Sequence, residues 1–556
     1  MTGRTTTRIG LFGVLQTALL AAALSLAGCG GDSPDAESPA SVTPPDTVAP
    51  PPAPSTPTAR AVGGTVSGLT GKSLVLLLND DSSVAVSSNG SFSFPARLEA
   101  GASYRVAVKT HPETPTQLCT VDAGSGVVSD ADIASVKVVC ADAFRIGGAL
   151  SGLSGDGLIL QNNAGDLLTV DANGNFTFPT PLLSGASYSI KVLRPGIPAQ
   201  RCIVNAGSGV VSGADIGDIA VICTTPTARS AYVSNICSNS IVTFGVDPAT
   251  GALNNAVSVP AGDFPEYLAI APGGKFGYVP NYGDGTIHGY AIDAATGALT
   301  AFGTPVATNQ AAPVTMTFHP AGGIAYVPNL TANTMSVFSI DASSGAFTAI
   351  DAPVASPAYP KDIVLDSIGK FAYGLHNNLA TPLSAYAIDD ATKIPTVIAD
   401  AVPSALPLAT DIAMHPNDKY LYVTNNNQTL TAFAIDRTTG KLTQIGAPVP
   451  TGWQPDSLAI DPSGRFAYVA NHSSDSISAY RIDQQTGALS SLGPEVATGR
   501  NPTGPVFDPS GKYLYIIGFR DGQIWRYAFH AATGQLDAGT LASSGNCPLR
   551  LRFGIP

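Results

Sequence analysis

Tyr468-Val-Ala-Asn471 belongs to a repeat whose copies decide the fold. The same pattern stands at Tyr232-Val-Ser-Asn235, Tyr278-Val-Pro-Asn281, Tyr326-Val-Pro-Asn329 and Tyr422-Val-Thr-Asn425. Tyr373-Gly-Leu-His376 and Tyr515-Ile-Ile-Gly518 are degraded copies. Successive tyrosines lie 46 to 49 residues apart, a fixed period that signals a repeat architecture built from small sheets.

One unit gives the phase. Pro455-Asp-Ser-Leu-Ala-Ile-Asp461, Arg465-Phe-Ala-Tyr-Val-Ala-Asn471, Ser476-Ile-Ser-Ala-Tyr-Arg-Ile-Asp483 and Gly487-Ala-Leu-Ser490 read as four short strands, A to D from the centre outward. Asp461-Pro-Ser-Gly464, Asn471 and Gln484-Gln-Thr-Gly487 supply the turns between them. Four-stranded sheets repeated about an axis make a β-propeller, and this one should have seven blades over residues 226–556. The first blade starts at strand B, and Cys547-Pro-Leu-Arg-Leu-Arg-Phe-Gly554 reads as an unpaired strand A. The C-terminal strand should therefore complete the first blade and hide two sheet edges. Cys237 and Cys547 then fall at the same end of that blade, which predicts a disulfide locking the ring. A closure of that length should contribute roughly 4–5 kcal/mol.

Upstream lies a second, longer repeat. Gly63-Gly-Thr-Val-Ser-Gly-Leu69 matches Gly147-Gly-Ala-Leu-Ser-Gly-Leu153, and Asn89-Gly-Ser-Phe-Ser-Phe-Pro95 matches Asn173-Gly-Asn-Phe-Thr-Phe-Pro179. Alternating runs such as Tyr104-Arg-Val-Ala-Val108 predict strands, and each Asn-Gly predicts a hairpin. Residues 61–142 and 143–225 should be two tandem small β-sandwich domains, so the whole chain reads as all-β. Both resemble the immunoglobulin-like or prealbumin-like modules of bacterial surface lipoproteins. Cys119 and Cys140 in the first copy, and Cys202 and Cys223 in the second, share a separation of 21 residues, so each pair should close an intradomain disulfide. Gly71-Lys72-Ser73 lacks the upstream glycine and following helix of a phosphate loop, and reads as a turn.

At the N-terminus, Arg4 and Arg8 precede an apolar run ending in Leu26-Ala27-Gly28-Cys29. This pattern is a secretory leader over residues 1–28. The tetrad resembles a bacterial lipobox, which implies lipidation of Cys29 and a membrane partner through that lipid. Gly30 after the cysteine points, by the same resemblance, to the outer membrane. Residues 29–60, rich in Pro and Ser, read as a disordered tether. The formal net charge of −12 argues against nucleic acid as a partner.

The Tyr-Val-x-Asn repeat occurs with Ile-Asp-x-x-Thr-Gly-Ala-Leu at Ile292–Leu299 and Ile482–Leu489. Together they resemble the YVTN and lactonase-type seven-bladed propellers. That group includes 6-phosphogluconolactonase-like and muconate-lactonising enzymes, and surface proteins without known activity. The shared residues are strand and turn residues, so the resemblance speaks to fold more than to chemistry.

Chemistry should sit at the channel mouth, on the D–A and B–C loops. Register places Glu266, Lys361, Asp362, Asp411, Asp456 and Arg550 there, with Trp453 and Arg500 from D–A loops and His376 and His472 from B–C loops. Glu266, His376, His472 and Arg500 are the catalytic candidates, since carboxylates beside arginines, with a histidine as base, could work on a lactone. Asp362, Asp411, Asp456, Arg550 and Trp453 are the ligand-binding candidates. His319 and His415 fall in A–B turns, His530 replaces a repeated Asp, His288 lies in a strand C and His111 in a small domain; all five read as structural. No Gly-x-Ser-x-Gly elbow exists. No metal ligand set and no cofactor is expected. The reading is an envelope lipoprotein whose propeller binds a small molecule, protein or glycan, with a lactone hydrolase as the alternative.

Overall fold

The computed structural model describes residues 59–554, apart from 164, 195, 197–199, 226–227, 309–311, 351 and 404–405. The expected leader, the Cys29 lipidation site and nearly all of the tether lie outside the described residues. Every regular element described is a β-strand.

The two small modules are sandwiches with the same topology. In the first, one sheet runs Gly90–Leu98, Arg60–Ser67, Ile133–Phe144, Gln117–Asp122, with the middle two strands parallel. The other runs Ser82–Val86, Leu74–Leu78, Ser103–Thr110, Ser125–Val127. The second module repeats both sheets. Alternation does the packing: Leu74, Leu76 and Leu78 point inward against Val136, Val138 and Phe94. Gly64 and Gly148 are required by close approach, because a Cβ would meet the carbonyl oxygens of Val136 and Ile219 at 1.8 and 1.9 Å. The last strand of the first module continues into the second, where Phe144 pairs with Leu182.

Both intradomain disulfides form between residues directly opposite in neighbouring strands. The Asn-Gly hairpins do not form. Asn89-Gly90 joins Ser82–Val86 in one sheet to Gly90–Leu98 in the other, so it crosses the sandwich instead of turning within a sheet. Asn89 does a different job, bonding through its side chain to both the N–H and the C=O of Leu69. Asn173 does the same at Leu153.

Seven sheets, one per blade, follow among the described residues. Strand B is buried along its whole length in four blades and at all but its first residue in the other three, because both sheet faces pack on neighbouring blades. Period-2 alternation sorts its side chains. In Ser230–Asn235, Tyr232 packs toward the second blade with Leu268 and Val279, while Ala231 and Val233 pack toward the seventh with Tyr515 and Ile517. Each of the seven seams holds one such apolar cluster.

The repeated tyrosine also carries a hydrogen bond across each seam. Its hydroxyl donates to a carbonyl in the C–D turn of the next blade: Tyr232 to Gly297 (2.9 Å), Tyr278 to Gly345 (2.6 Å), Tyr373 to Gly440 (3.0 Å), Tyr422 to Gly487 (2.9 Å) and Tyr468 to Gly534 (2.5 Å). Tyr326 reaches Lys393 (2.9 Å), which takes the glycine's place with φ of 59°, near the 73° of Gly297. Tyr515, in the last blade, reaches back to Gly251 in the first. Burial raises the pKa of all seven, to about 12 for Tyr278.

The ring closes as the sequence predicts. Pro548–Gly554 pairs with Ser230–Asn235 as strand A of the first blade, and Cys237 is bonded to Cys547.

Candidate functional site

Strand A lines the channel, and an irregularity in it aims the site. In the first, fourth, fifth and sixth blades the ladder between strands A and B slips beside Leu549, Lys361, Thr410 and Asp456. A bulge of this kind bends the strand and re-aims side chains. Just before it, Phe264, Ala312, Tyr359, Gln454, Asn501 and Cys547 all adopt φ between 51° and 60°. Each of these six residues accepts, through its carbonyl, the first N–H of its blade's B–C loop, as Gln454 does from His472 (2.9 Å). The same device therefore fixes the mouth loops and strand A around the ring.

The channel holds a cavity of about 410 Å³ lined by Glu266, Lys361, Asp362, Asp411, Arg550 and Arg552, together with apolar residues such as Ile412 and Met414. Burial raises the Glu266 carboxyl, against the pull of Arg550 and Lys361. Burial also raises Asp362, and pushes Asp411 up to about 6 although Arg550 faces it. Asp456 goes the other way: burial opposes its charge, but Arg550, Lys361 and hydrogen bonds from Thr503 and Ser457 hold it below the usual carboxylate range. Burial works against the Arg550 charge, and Asp456, Asp411, Glu266 and Asp362 together more than offset it.

Arg550 is thus the hub of four carboxylates. None of them lies within 4.0 Å of it, since the ion pairs among the described residues are all elsewhere. Glu266, Asp362 and Asp411 line the cavity together with Arg550, and Asp456 stands beside it. Neighbouring strands A are tied instead by short polar bonds: Lys361 Nζ donates to the Thr410 carbonyl (2.8 Å), the Leu458 N–H to Asp411 Oδ2 (2.7 Å) and the Gly504 N–H to Ser457 Oγ (2.8 Å).

The cavity gathers Glu266, Lys361, Asp362, Asp411 and Arg550 from the residues that register placed at the mouth, while Asp456 stands beside it, accepting from Thr503 and Ser457, without lining it. Arg500 is exposed on a D–A loop and does not line the cavity. Trp453, 67% exposed, stands on the rim. His472 sits between D–A loops, bonded through its carbonyl and Nδ1 to the Asn501 amide (2.9 and 3.3 Å).

His376 is 1% exposed, so its ring does not open on the channel. In regular blades the asparagine there latches a D–A loop: Asn281 accepts from the Gly262 N–H and Asn471 from the Gly452 N–H, each at 3.1 Å. The fourth blade has Pro357 at that loop position, three residues before the proline of strand A, and proline has no N–H. His376 fills the space instead. Its Nε2 lies 2.6 Å from Ser384 Oγ, its Nδ1 has no partner among the described residues, and burial lowers its pKa to about 4.

Arg552 is the channel residue the sequence reading missed. It stands two residues beyond Arg550, hence on the same strand face, with its guanidinium 4.7 Å from the centre of the Tyr267 ring. Strand periodicity applied to Pro548–Gly554 would have found it. His319 and His415 sit in A–B turns as expected, each reaching the next blade's turn glycine, Gly369 (3.2 Å) and Gly464 (2.7 Å).

A larger cleft, about 840 Å³, lies under the fifth to seventh blades against the second sandwich. Arg194 of the sandwich reaches Asp418 of the propeller across that seam at 3.5 Å with both side chains buried, and Asp171 accepts from the Gly157 N–H within the sandwich (2.7 Å). The four carboxylates gathered round one guanidinium are in the channel.

Comparison with known proteins bears on the propeller. The family model described as "Lactonase, 7-bladed beta-propeller" matches residues 211–316, 267–455 and 450–551, more than half of the chain. A 6-phosphogluconolactonase of Formosa agariphila is 33% identical over 120 residues, which cover 21% of this chain and 34% of that protein. The chain thus matches about a third of that relative's length. Among solved structures, a 6-phosphogluconolactonase-like protein of Bacteroides uniformis aligns with a TM-score of 0.53 at 22% identity, over 59% of this chain and 100% of its own. The periplasmic gluconolactonase of Pseudomonas aeruginosa aligns at 0.52 and 19% identity, over 59% and 99%. These two likenesses show the fold, and the family match assigns it: the chain belongs to the lactonase family of seven-bladed β-propellers.

Proposed function

We propose that the protein hydrolyses a lactone in the propeller channel. The observation that carries this reading is Arg550 held among four carboxylates that it does not contact, with the carboxyl of Asp411 at about 6. A base is most useful when its pKa lies near the working pH. Asp411 takes a proton from water as the water oxygen bonds to the lactone carbonyl carbon. The carbonyl oxygen becomes negative beside Arg550 and Lys361. As Asp411 is neutralised, the field of Arg550 is released onto that oxygen, so charge moves within the site without being added to it. Collapse breaks the bond to the ring oxygen, which takes a proton from Glu266, whose carboxyl is also raised. Water in the channel then exchanges both protons back.

The names of the relatives support gluconolactones as first substrates. Full-length protein assayed against a panel of sugar and carboxylate lactones should turn over at least one, and Asp411→Asn and Arg550→Met should each lower kcat/KM about 100-fold or more. Absence of turnover across the panel defeats the proposal.

A second reading is binding without turnover, on a lipid-anchored envelope protein. Exposed apolar side chains on the mouth loops favour it: Phe264, Tyr359 and Trp453 are 49, 50 and 67% exposed. Such rims bind ligands and partners. Mass spectrometry of the N-terminal peptide from native membranes would show a diacylated Cys29 if the anchor exists, and an unmodified cysteine if it does not.

A further inference from the structure

We infer that the lactone taken by the channel is the end of an oligosaccharide, with the next sugar units lying on an aromatic rim at the mouth. The inference rests on the channel being the lactone site, and adds the size and class of its substrate. Its basis is the way three exposed rings are held. Phe264, Tyr359 and Trp453 stand on the D–A loops of the second, fourth and sixth blades. Their backbones are pinned on both sides. The Phe264 N–H donates to Asn239 Oδ1 (3.2 Å), and its carbonyl accepts from the Tyr282 N–H (2.9 Å). The Tyr359 N–H donates to Asn333 Oδ1 (2.7 Å), and its carbonyl accepts from the Asn377 N–H (2.9 Å). The Trp453 N–H donates to Ser474 Oγ (2.7 Å), and its carbonyl accepts from the Ser473 N–H (3.1 Å). Among the described residues the Tyr359 hydroxyl and the Trp453 indole N–H have no hydrogen-bond partner. Each ring is therefore presented on a fixed backbone with its polar tip free.

Phe264 and Tyr359 adopt φ of 52° and 58°, the only aromatic residues in the left-handed region among the described residues. The corresponding positions of other blades hold Ala312, Gln454, Asn501 and Cys547. A bulky side chain is strained there, and an exposed ring gains no core packing in return, so folding does not account for either one. Placement ties the rings to the cavity. Phe264 and Tyr359 each precede by two residues a side chain that lines it, Glu266 and Lys361, so at most about 7 Å of backbone lies between them. That is the scale of one sugar ring. Trp453 precedes Ser457, another lining residue, by four positions. A pyranose has an apolar face of C–H groups and a polar edge of hydroxyls. Flat, exposed rings that lose little rotamer freedom suit the face, and the carboxylates of the cavity accept from the hydroxyls. The rim is not one apolar patch of the kind a protein partner covers. In ring order Ala312 stands between the first two aromatics, and the polar loop Asn426-Asn-Gln428 between the second and third.

The test compares D-glucono-1,5-lactone with cellobiono-1,5-lactone and maltobiono-1,5-lactone, which carry one more glucose unit, on the full-length protein. We expect kcat/KM for at least one disaccharide lactone to be tenfold or more above that of the monosaccharide, mainly through KM. Tyr359→Ala and Trp453→Ala should each narrow that ratio severalfold. A purely structural role would lower both substrates alike and leave the ratio intact. That result, or equal or better use of the monosaccharide lactone, overturns the inference; lactone hydrolysis then stands, and the rim is left to a protein partner. If no lactone turns over, calorimetry with D-glucono-1,5-lactam and its 4-O-glucosyl derivatives, analogues that resist hydrolysis, decides the point. Tighter binding of a disaccharide lactam upholds the sugar rim while removing the hydrolase reading. Equal affinity, or no binding of either, overturns the inference.

Discussion

The seams between blades and the channel at their centre are built from the same seven blades by opposite rules. Every seam has the same buried tyrosine, bonded to a C–D turn carbonyl of the next blade. The residue two positions into strand A differs at almost every blade: Arg550, Tyr267, Thr315, Asp362, Asp411, Ser457, Gly504. Uniform seams make a closed ring. The unlike residues it positions make a chemical site, at a cost, since burial works against the charges of Glu266, Asp362 and Asp411. Changes at the seams should therefore lower stability and spare chemistry, and changes in the channel should do the reverse.

The largest expected effect on the seam side is at ring closure. Cys547→Ser removes a bridge across 310 residues and should cost roughly 4–5 kcal/mol in urea unfolding of the propeller, with turnover of the folded protein unchanged. An unchanged midpoint would mean that strand pairing alone holds the ring.

His376 gives the next effect, through pH. Its pKa falls from about 6.5 in the unfolded chain to about 4 in the fold, so the unfolded state binds the extra proton between those values. Stability should drop as pH falls from 6.5 toward 4, by about 3 kcal/mol for this group. Acid titrations of wild type and His376→Gln should differ by that slope; parallel curves would contradict the buried, neutral ring.

A single seam bond comes third. Tyr422→Phe leaves the Gly487 carbonyl without its donor and should cost about 1–3 kcal/mol in thermal or urea unfolding, with kcat/KM retained. Loss of activity in proportion to stability would erase the contrast between seam and channel. The smallest effect should be a coupling. His376→Asn alone lacks the loop donor that Pro357 cannot supply, while Pro357→Gly with His376→Asn rebuilds the latch of the regular blades. The double variant should be more stable than the sum of the singles by about 1 kcal/mol. Strict additivity would break the explanation for the irregular blade.

The ring, its phase and its closure were legible because period and register are carried by turn residues and alternation, both local. Cys237–Cys547 could be paired from that register alone. The Asn-Gly segments misled because the same dipeptide serves a hairpin and a crossing between sheets, and only long-range pairing tells them apart; Asn89 bonds to Leu69, twenty residues away. Strand A register brought Asp362, Asp411 and Arg550 together correctly. It failed for His376 because that position lies at the end of strand B, where the side chain turns into the blade. The contrast between Asp411 and Asp456 was invisible: Arg550 pulls both down, and what separates them is the repulsion of Asp362 at Asp411 and the hydrogen bonds of Thr503 and Ser457 at Asp456, neighbours that only the fold supplies.

The most direct test measures activity and stability on one preparation of Asp411→Asn. The account predicts kcat/KM lower by about 100-fold or more, with a melting temperature equal to or above that of the wild type, because a buried carboxylate has been replaced by a neutral group of the same shape. Retained turnover, or a melting temperature that falls along with activity, would contradict it.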